Sequence, residues 1–176
     1  PRLQLATASS GLIKDKIIKE IDTFALVHSS DSAIGLGELV NAIVLSWRPK
    51  AIDTKAKITN YDQDSDDFID IQTRADTVQN SGCMYGPEYF IYLSTGQICT
   101  LFLGSKTLRR ETKKVNRIYK EELVLQLVPH PIDTGEYMYT SFTASEGKAI
   151  IEVPEDMESI IEEVKKFDNP ESDVAP

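Results

Sequence analysis

The chain has 176 residues, 41% of them hydrophobic, and a formal net charge of −9. That length fits one domain, or one domain with an appendage, and the apolar content is enough for a core. No apolar run approaches the ~20 residues that cross a membrane as a helix, and the opening PRLQLATASS has neither the basic start nor the apolar stretch of a secretory signal. A chain that starts at Pro1 fits loss of an initiator Met in a cytosol.

The charge is unevenly spread. Between Ser105 and Glu122 seven Lys or Arg face three Glu, a local +4, while between Glu152 and Pro176 nine Asp or Glu face two Lys, a local −7. The total therefore does not exclude a cationic face. Two cysteines, Cys83 and Cys99, form no disulfide framework. With His28 and His130 they form no zinc pattern either, so no metal site is expected.

In chain order, Gly11–Ile21 reads as a short amphipathic helix and Thr23–His28 as a strand. Gly35-Leu36-Gly37 lacks the third glycine of a dinucleotide fingerprint, and a turn is expected there. Leu39–Trp47 is β-rich and apolar, a central strand that must end or bulge at Pro49 because proline cannot donate to a ladder. A weaker strand is expected around Lys57–Asn60 and a short helix over Ser65–Ala75. Asp62, Asp64 and Asp66 match the first positions of a calcium loop. Asp67 stands where that loop needs glycine and Thr73 where it needs a bidentate carboxylate, so a solvated acidic loop is the better reading.

Tyr89–Ser94 and Gln97–Leu103 are apolar and aromatic runs joined by Thr95-Gly96, a hairpin signal. Gly104 then breaks the second strand and Ser105 can cap a helix over Lys106–Lys120. At 100° per residue Lys106, Arg110, Lys113, Arg117 and Lys120 form one stripe, opposite Leu108, Val115 and Tyr119. Gly104-Ser105-Lys106-Thr107 is not a Walker loop, because Ser105 separates Gly104 from Lys106 and position 99 is Cys. No nucleophile–base set or acid–base carboxylate pair is found, so no enzyme and no cofactor are expected. Leu123–Val128 and Tyr137–Thr143 read as strands, with a loop over 129–136 (PHPIDTGE). Glu155–Phe167 reads as a helix and DNPESDVAP as a disordered end.

The order strand, strand, strand, strand, helix, strand, strand resembles a five-stranded Greek-key barrel of OB type, with one strand too many. The expected class is mainly β with helices (α+β), and an α+β sandwich remains open. Two units are expected: residues 1–154 as the OB-like domain and 155–176 as an acidic helix and tail.

The strings WRPKAIDT (Trp47–Thr54), SGCMYGPEYFIYL (Ser81–Leu93) and FLGSKTLRRE (Phe102–Glu111) resemble segments of small proteins of tailed bacteriophages, a group associated with single-stranded DNA-binding, OB-like proteins. The resemblance touches about half the chain. Proteins of that function tend to end in an acidic tail, as this one does, although this tail finishes Asp173-Val174-Ala175-Pro176 where many finish on an aromatic or apolar anchor.

Together these readings give an expectation. The chain binds single-stranded DNA without sequence preference, in replication or recombination, in the cytoplasm of an infected host cell. Lys106, Arg109, Arg110, Lys113, Lys114 and Arg117 track phosphates, with Arg48 and Lys50, while Trp47, Tyr92, Tyr137 and Tyr139 stack bases. The acidic tail competes with DNA for the cations and can reach replication or recombination proteins. The alternative is a non-enzymatic phage interaction protein, a host-factor inhibitor or structural component, that works through its acidic surface.

Overall fold

Alternating apolar residues at 40, 42 and 44, at 89, 91 and 93, and at 99, 101 and 103 all enter one buried cluster, as the two-residue period of a strand requires. The computed structural model describes residues 1–154 and 158–168. It is mainly β with some helices. The strands are β1 (Arg2–Ala6), β2 (Thr23–Ser29), β3 (Ser32–Gly37), β4 (Val40–Asp53), β5 (Ile58–Asn60), β6 (Cys83–Leu93), β7 (Ile98–Phe102), β8 (Leu125–Asp133) and β9 (Met138–Glu146). The helices are α1 (Gly11–Lys14), α2 (Asp66–Thr77), α3 (Lys106–Arg109), α4 (Thr112–Lys120) and α5 (Glu158–Asp168).

All nine strands belong to one open sheet of order β3-β2-β1-β7-β6-β4-β8-β9, with β5 on the end of β4. β1 lies parallel to β7 at Arg2 opposite Thr100, whereas the other pairings are antiparallel. The sheet curls until Phe24 of β2 and Phe142 of β9 meet edge to face, with ring centroids 5.6 Å apart. Leu3, Leu5 and Leu26 from one end and Leu125, Leu127 and Ala144 from the other thus share one core. α4 covers that core with Val115 and Ile118, both fully buried, each contributing about 1.5–3 kcal/mol of apolar burial.

Several sequence expectations change. The helix expected over Gly11–Ile21 stops at Lys14, because Lys16 takes a left-handed φ of 58° and the Ile17 and Ile18 N–H groups turn back to the Leu12 carbonyl. Gly35 to Gly37 belong to edge strand β3 and not to a turn. β4 does not end at Pro49. It continues to Asp53, and Pro49 stands opposite Pro87, which an antiparallel ladder tolerates because alternate pairs exchange no hydrogen bonds. The bulge lies earlier, between Val44 and Ser46.

The loop expected over 129–136 is mostly strand. Beyond Leu127 β8 pairs with β9 alone, so Pro129 and Pro131 can direct their missing N–H groups to the unpaired side. β1 and the first half of β6 carry no strong local signal, and the sequence does not mark them as strands. The single helix over Lys106–Lys120 is two helices broken at Arg110-Glu111. The barrel expectation of five strands meets a sheet of nine. Disorder expected for DNPESDVAP lies outside the described residues except for Asp168, the end of α5.

Candidate nucleic-acid interface

Ser105 caps α3 by accepting the Leu108 N–H at 3.2 Å, which starts the cationic segment at the end of β7. Lys106, Arg110 and Lys113 are exposed and have no acidic partner among the described residues. Lys120 is exposed as well and has none, whereas Arg109, Lys114 and Arg117 are engaged. Lys114 pairs with Glu111 at 3.1 Å and Arg117 with Glu121 at 2.9 Å, the second exposed on both sides and so worth little. The Glu111 carboxylate also accepts the Ala144 N–H of β9 at 3.1 Å, fastening α4 to the sheet edge.

Arg109 does different work. Its guanidinium donates to the Tyr85 and Gly104 carbonyls at 3.0 and 2.7 Å, lies 4.0 Å from the Tyr85 ring centroid and reaches Asp76 at 3.4 Å. It clamps α3 to β6 and α2, and this removes it from the free cations. Gly86 makes the close packing possible, since a Cβ there would sit 2.1 Å from the Leu103 carbonyl oxygen.

The β8–β9 hairpin tip presents Tyr137, 62% exposed, and Tyr139, 38% exposed, with ring centroids 5.9 Å apart. The Tyr139 and Thr107 hydroxyls lie 3.2 Å apart, so the tip is joined to α3 between Lys106 and Arg110. Trp47 is 45% exposed. It stands opposite Tyr89 in the β4–β6 ladder, and the Tyr89 hydroxyl donates to Asn116 of α4 at 2.6 Å. Trp47 therefore shares the sheet face that α4 covers. The hairpin tyrosines thus meet the start of the cationic segment at Thr107, while Trp47 lies on the sheet face that α4 covers.

Arg48 and Lys50 are on the other side, because strand alternation turns them away from Trp47. Both grip Glu88, which is 2% exposed: Arg48 donates to one carboxylate oxygen from Nε and Nη2 at 2.9 and 2.6 Å, and Lys50 to the other at 2.5 Å. The Arg48 guanidinium lies between the rings of Tyr61 and Phe167, 3.8 and 4.1 Å from their centroids, and donates to the Phe167 carbonyl at 2.9 Å. Phe167 stacks on Phe90 at 5.1 Å. α5 is therefore docked on the sheet through Phe167. Tyr92 is 6% exposed, so its ring is not available to a base in this structure.

Burial raises the Tyr61 and Tyr89 hydroxyl pKa values above the usual phenol range and pushes the Cys99 thiol up to about 12. Cys99 is a buried, inert thiol. Asp53, at the end of β4, is lowered by the Ala56 N–H and by Arg74 of α2, whose guanidinium is 2.7 Å away. No group of three metal-ligating side chains occurs among the described residues.

Sequence reasoning missed Glu88 as the partner of Arg48 and Lys50, and Thr107 as the link to the hairpin. Forty and thirty-two residues separate these pairs, and no local period carries such information. No protein-family model, curated protein or solved structure matches the chain.

Proposed function

We propose that the chain is a sequence-independent single-stranded DNA-binding protein of a bacteriophage, acting in replication or recombination in the infected cell's cytoplasm. The observation that carries the reading is the Tyr139–Thr107 contact at 3.2 Å. It brings two exposed tyrosines to the segment that carries Lys106, Arg110 and Lys113, so stacking surfaces and phosphate-binding cations adjoin, and Trp47 lies on the sheet face under α4. A strand lying there places bases on flat rings and phosphates on free ammonium and guanidinium groups.

The fold supports the same reading. Taken alone, β4, β6, β7, β8 and β9 have the chain order strand, strand, strand, helix, strand, strand, and pair as β7-β6-β4-β8-β9. We propose that this unit is a partly open Greek-key barrel of OB type, to which β1, β2 and β3 are added at the β7 edge and β5 at the end of β4. Such barrels bind oligonucleotides partly through the loop between their fourth and fifth strands, here the tip that carries Tyr137 and Tyr139.

The net charge of −9 is compatible with this role because residues 155–176 hold much of the acid, an acid-rich stretch suited to meeting replication or recombination proteins. The test is fluorescence anisotropy of labelled oligo(dT) at about 50 and 200 mM salt, with Trp47 emission followed in parallel. Binding that weakens with salt and quenches Trp47 supports the reading. No binding at the lower salt rejects it.

A further inference from the structure

On the face opposite Trp47 a groove of about 500 Å³ runs between β1 and β2 on one side and the Arg48–Glu88–Lys50 cluster on the other. Arg2, Ser29, Ser30, Tyr61 and Thr100 complete its working walls. Three cations line it against a single carboxylate, in a protein whose net charge is −9. That excess is concentrated in one concave place, where low-dielectric walls strengthen it.

Glu88 does not cancel the excess. One carboxylate holds both Arg48 and Lys50, and each cation keeps donors in reserve. Lys50 has three N–H bonds and gives one to Glu88, while Arg48 has five and gives two to Glu88 and one to the Phe167 carbonyl. The buried Glu88 also fixes the two side chains next to each other, so little ordering remains when an anion arrives. Arg2 is exposed on β1 and has no acidic partner among the described residues. The Thr100 and Ser30 hydroxyls supply neutral donors at the rim.

We infer that this groove is a binding site for a phosphate monoester of about mononucleotide size. The surplus of cations matches the charge of about −1.5 to −2 that a monoester carries at neutral pH, better than the single charge of a backbone diester. The volume is within the range of small-molecule sites. Arg2 of β1 and Val27, His28 and Ser29 of β2 line it from outside the five-strand unit, so the site is distinct from the tyrosine and helix band and does not depend on it. A free nucleotide and the 5′-phosphorylated end of a strand offer the same chemistry.

The test is amide NMR of the full chain titrated with dTMP, inorganic phosphate and thymidine. Shifts at Thr100, Ser29 and Ser30 with dTMP and phosphate, but not with thymidine, are expected. Arg2→Ala, at an exposed position, and Lys50→Ala, which leaves Glu88 bonded to Arg48, should each weaken dTMP about tenfold, the value of one charge-assisted hydrogen bond. Lys113→Ala should leave these shifts unchanged. 5′-Phosphorylated and 5′-hydroxyl oligo(dT) then assign the source: a response to the phosphorylated strand alone indicates a strand end, and a response to dTMP alone a free nucleotide. No response to dTMP and phosphate, an equal response to thymidine, or full affinity in the Arg2→Ala, Lys50→Ala double variant overturns the assignment. Because oligo(dT) binding at the other face is scored separately, either site can fail without the other.

Discussion

The molecule uses cations in two ways. Between Lys106 and Lys120, Lys106, Arg110 and Lys113 stand in solvent without acidic partners among the described residues, whereas Arg48 and Lys50 are locked on a carboxylate that is almost wholly buried. The residue types are the same and the sequence does not separate them. The partner does. A free surface cation costs the fold nothing to lose and is available to a polyanion, while a cation bound to a buried carboxylate is part of the structure first.

The largest expected effect breaks the second region. Glu88→Ala leaves Arg48 and Lys50 crowded together without their carboxylate. Removing one side of a buried ion pair costs about 3–5 kcal/mol, and partial solvation of both cations puts this case near the low end. Urea unfolding should show it. Lys113→Ala, by contrast, should stay within about 0.5 kcal/mol of the parent. Equal stability losses in the two variants would erase the distinction.

Next comes the aromatic end of the free band. Tyr137→Ala and Tyr139→Ala should each weaken oligo(dT) by ~1–3 kcal/mol with little change in stability, as expected for a lost stacking ring. Tyr92→Phe should leave DNA affinity unchanged, since its ring is buried. A DNA defect in Tyr92→Phe with wild-type behaviour at Tyr137 and Tyr139 would move the interface away from the hairpin tip.

A smaller, pH-dependent effect is expected where a third cation, Arg74, meets Asp53. The folded pKa of Asp53 is depressed below 3.8, so its contribution to stability is present above the unfolded value and is lost as pH falls through the folded one. Acid unfolding of Asp53→Asn should therefore show a shallower loss of stability below about pH 4 than the parent. Identical acid profiles would mean that the end of β4 is held by other contacts.

What could be read from the sequence follows from the range of each interaction. The hairpin over Tyr89–Leu103, the Ser105 cap and the buried side at Val115 are set by neighbours a few residues away, and the chain displays them as periods and turn residues. The nine-stranded sheet is not displayed in this way. β1 reaches β7 across ninety-odd positions through a single registered pair, Arg2 with Thr100, and Pro129 and Pro131 look like loop residues until it is known that one side of β8 is unpaired there. The cationic stripe was legible as a stripe, but its division into free, paired and clamped members was not. Arg109 sits one position from Arg110 and makes four contacts that no spacing rule anticipates.

The central claim is that the free cations of α3 and α4, with the hairpin tyrosines, hold a single strand. It is tested most directly by the slope of log K against log salt for oligo(dT), compared between the parent and the Lys106→Ala, Arg110→Ala, Lys113→Ala triple variant. Each lost phosphate contact lowers the magnitude of the slope by about 0.7, so a fall of about 2 is predicted with folding intact. An unchanged slope in a folded triple variant would contradict the account.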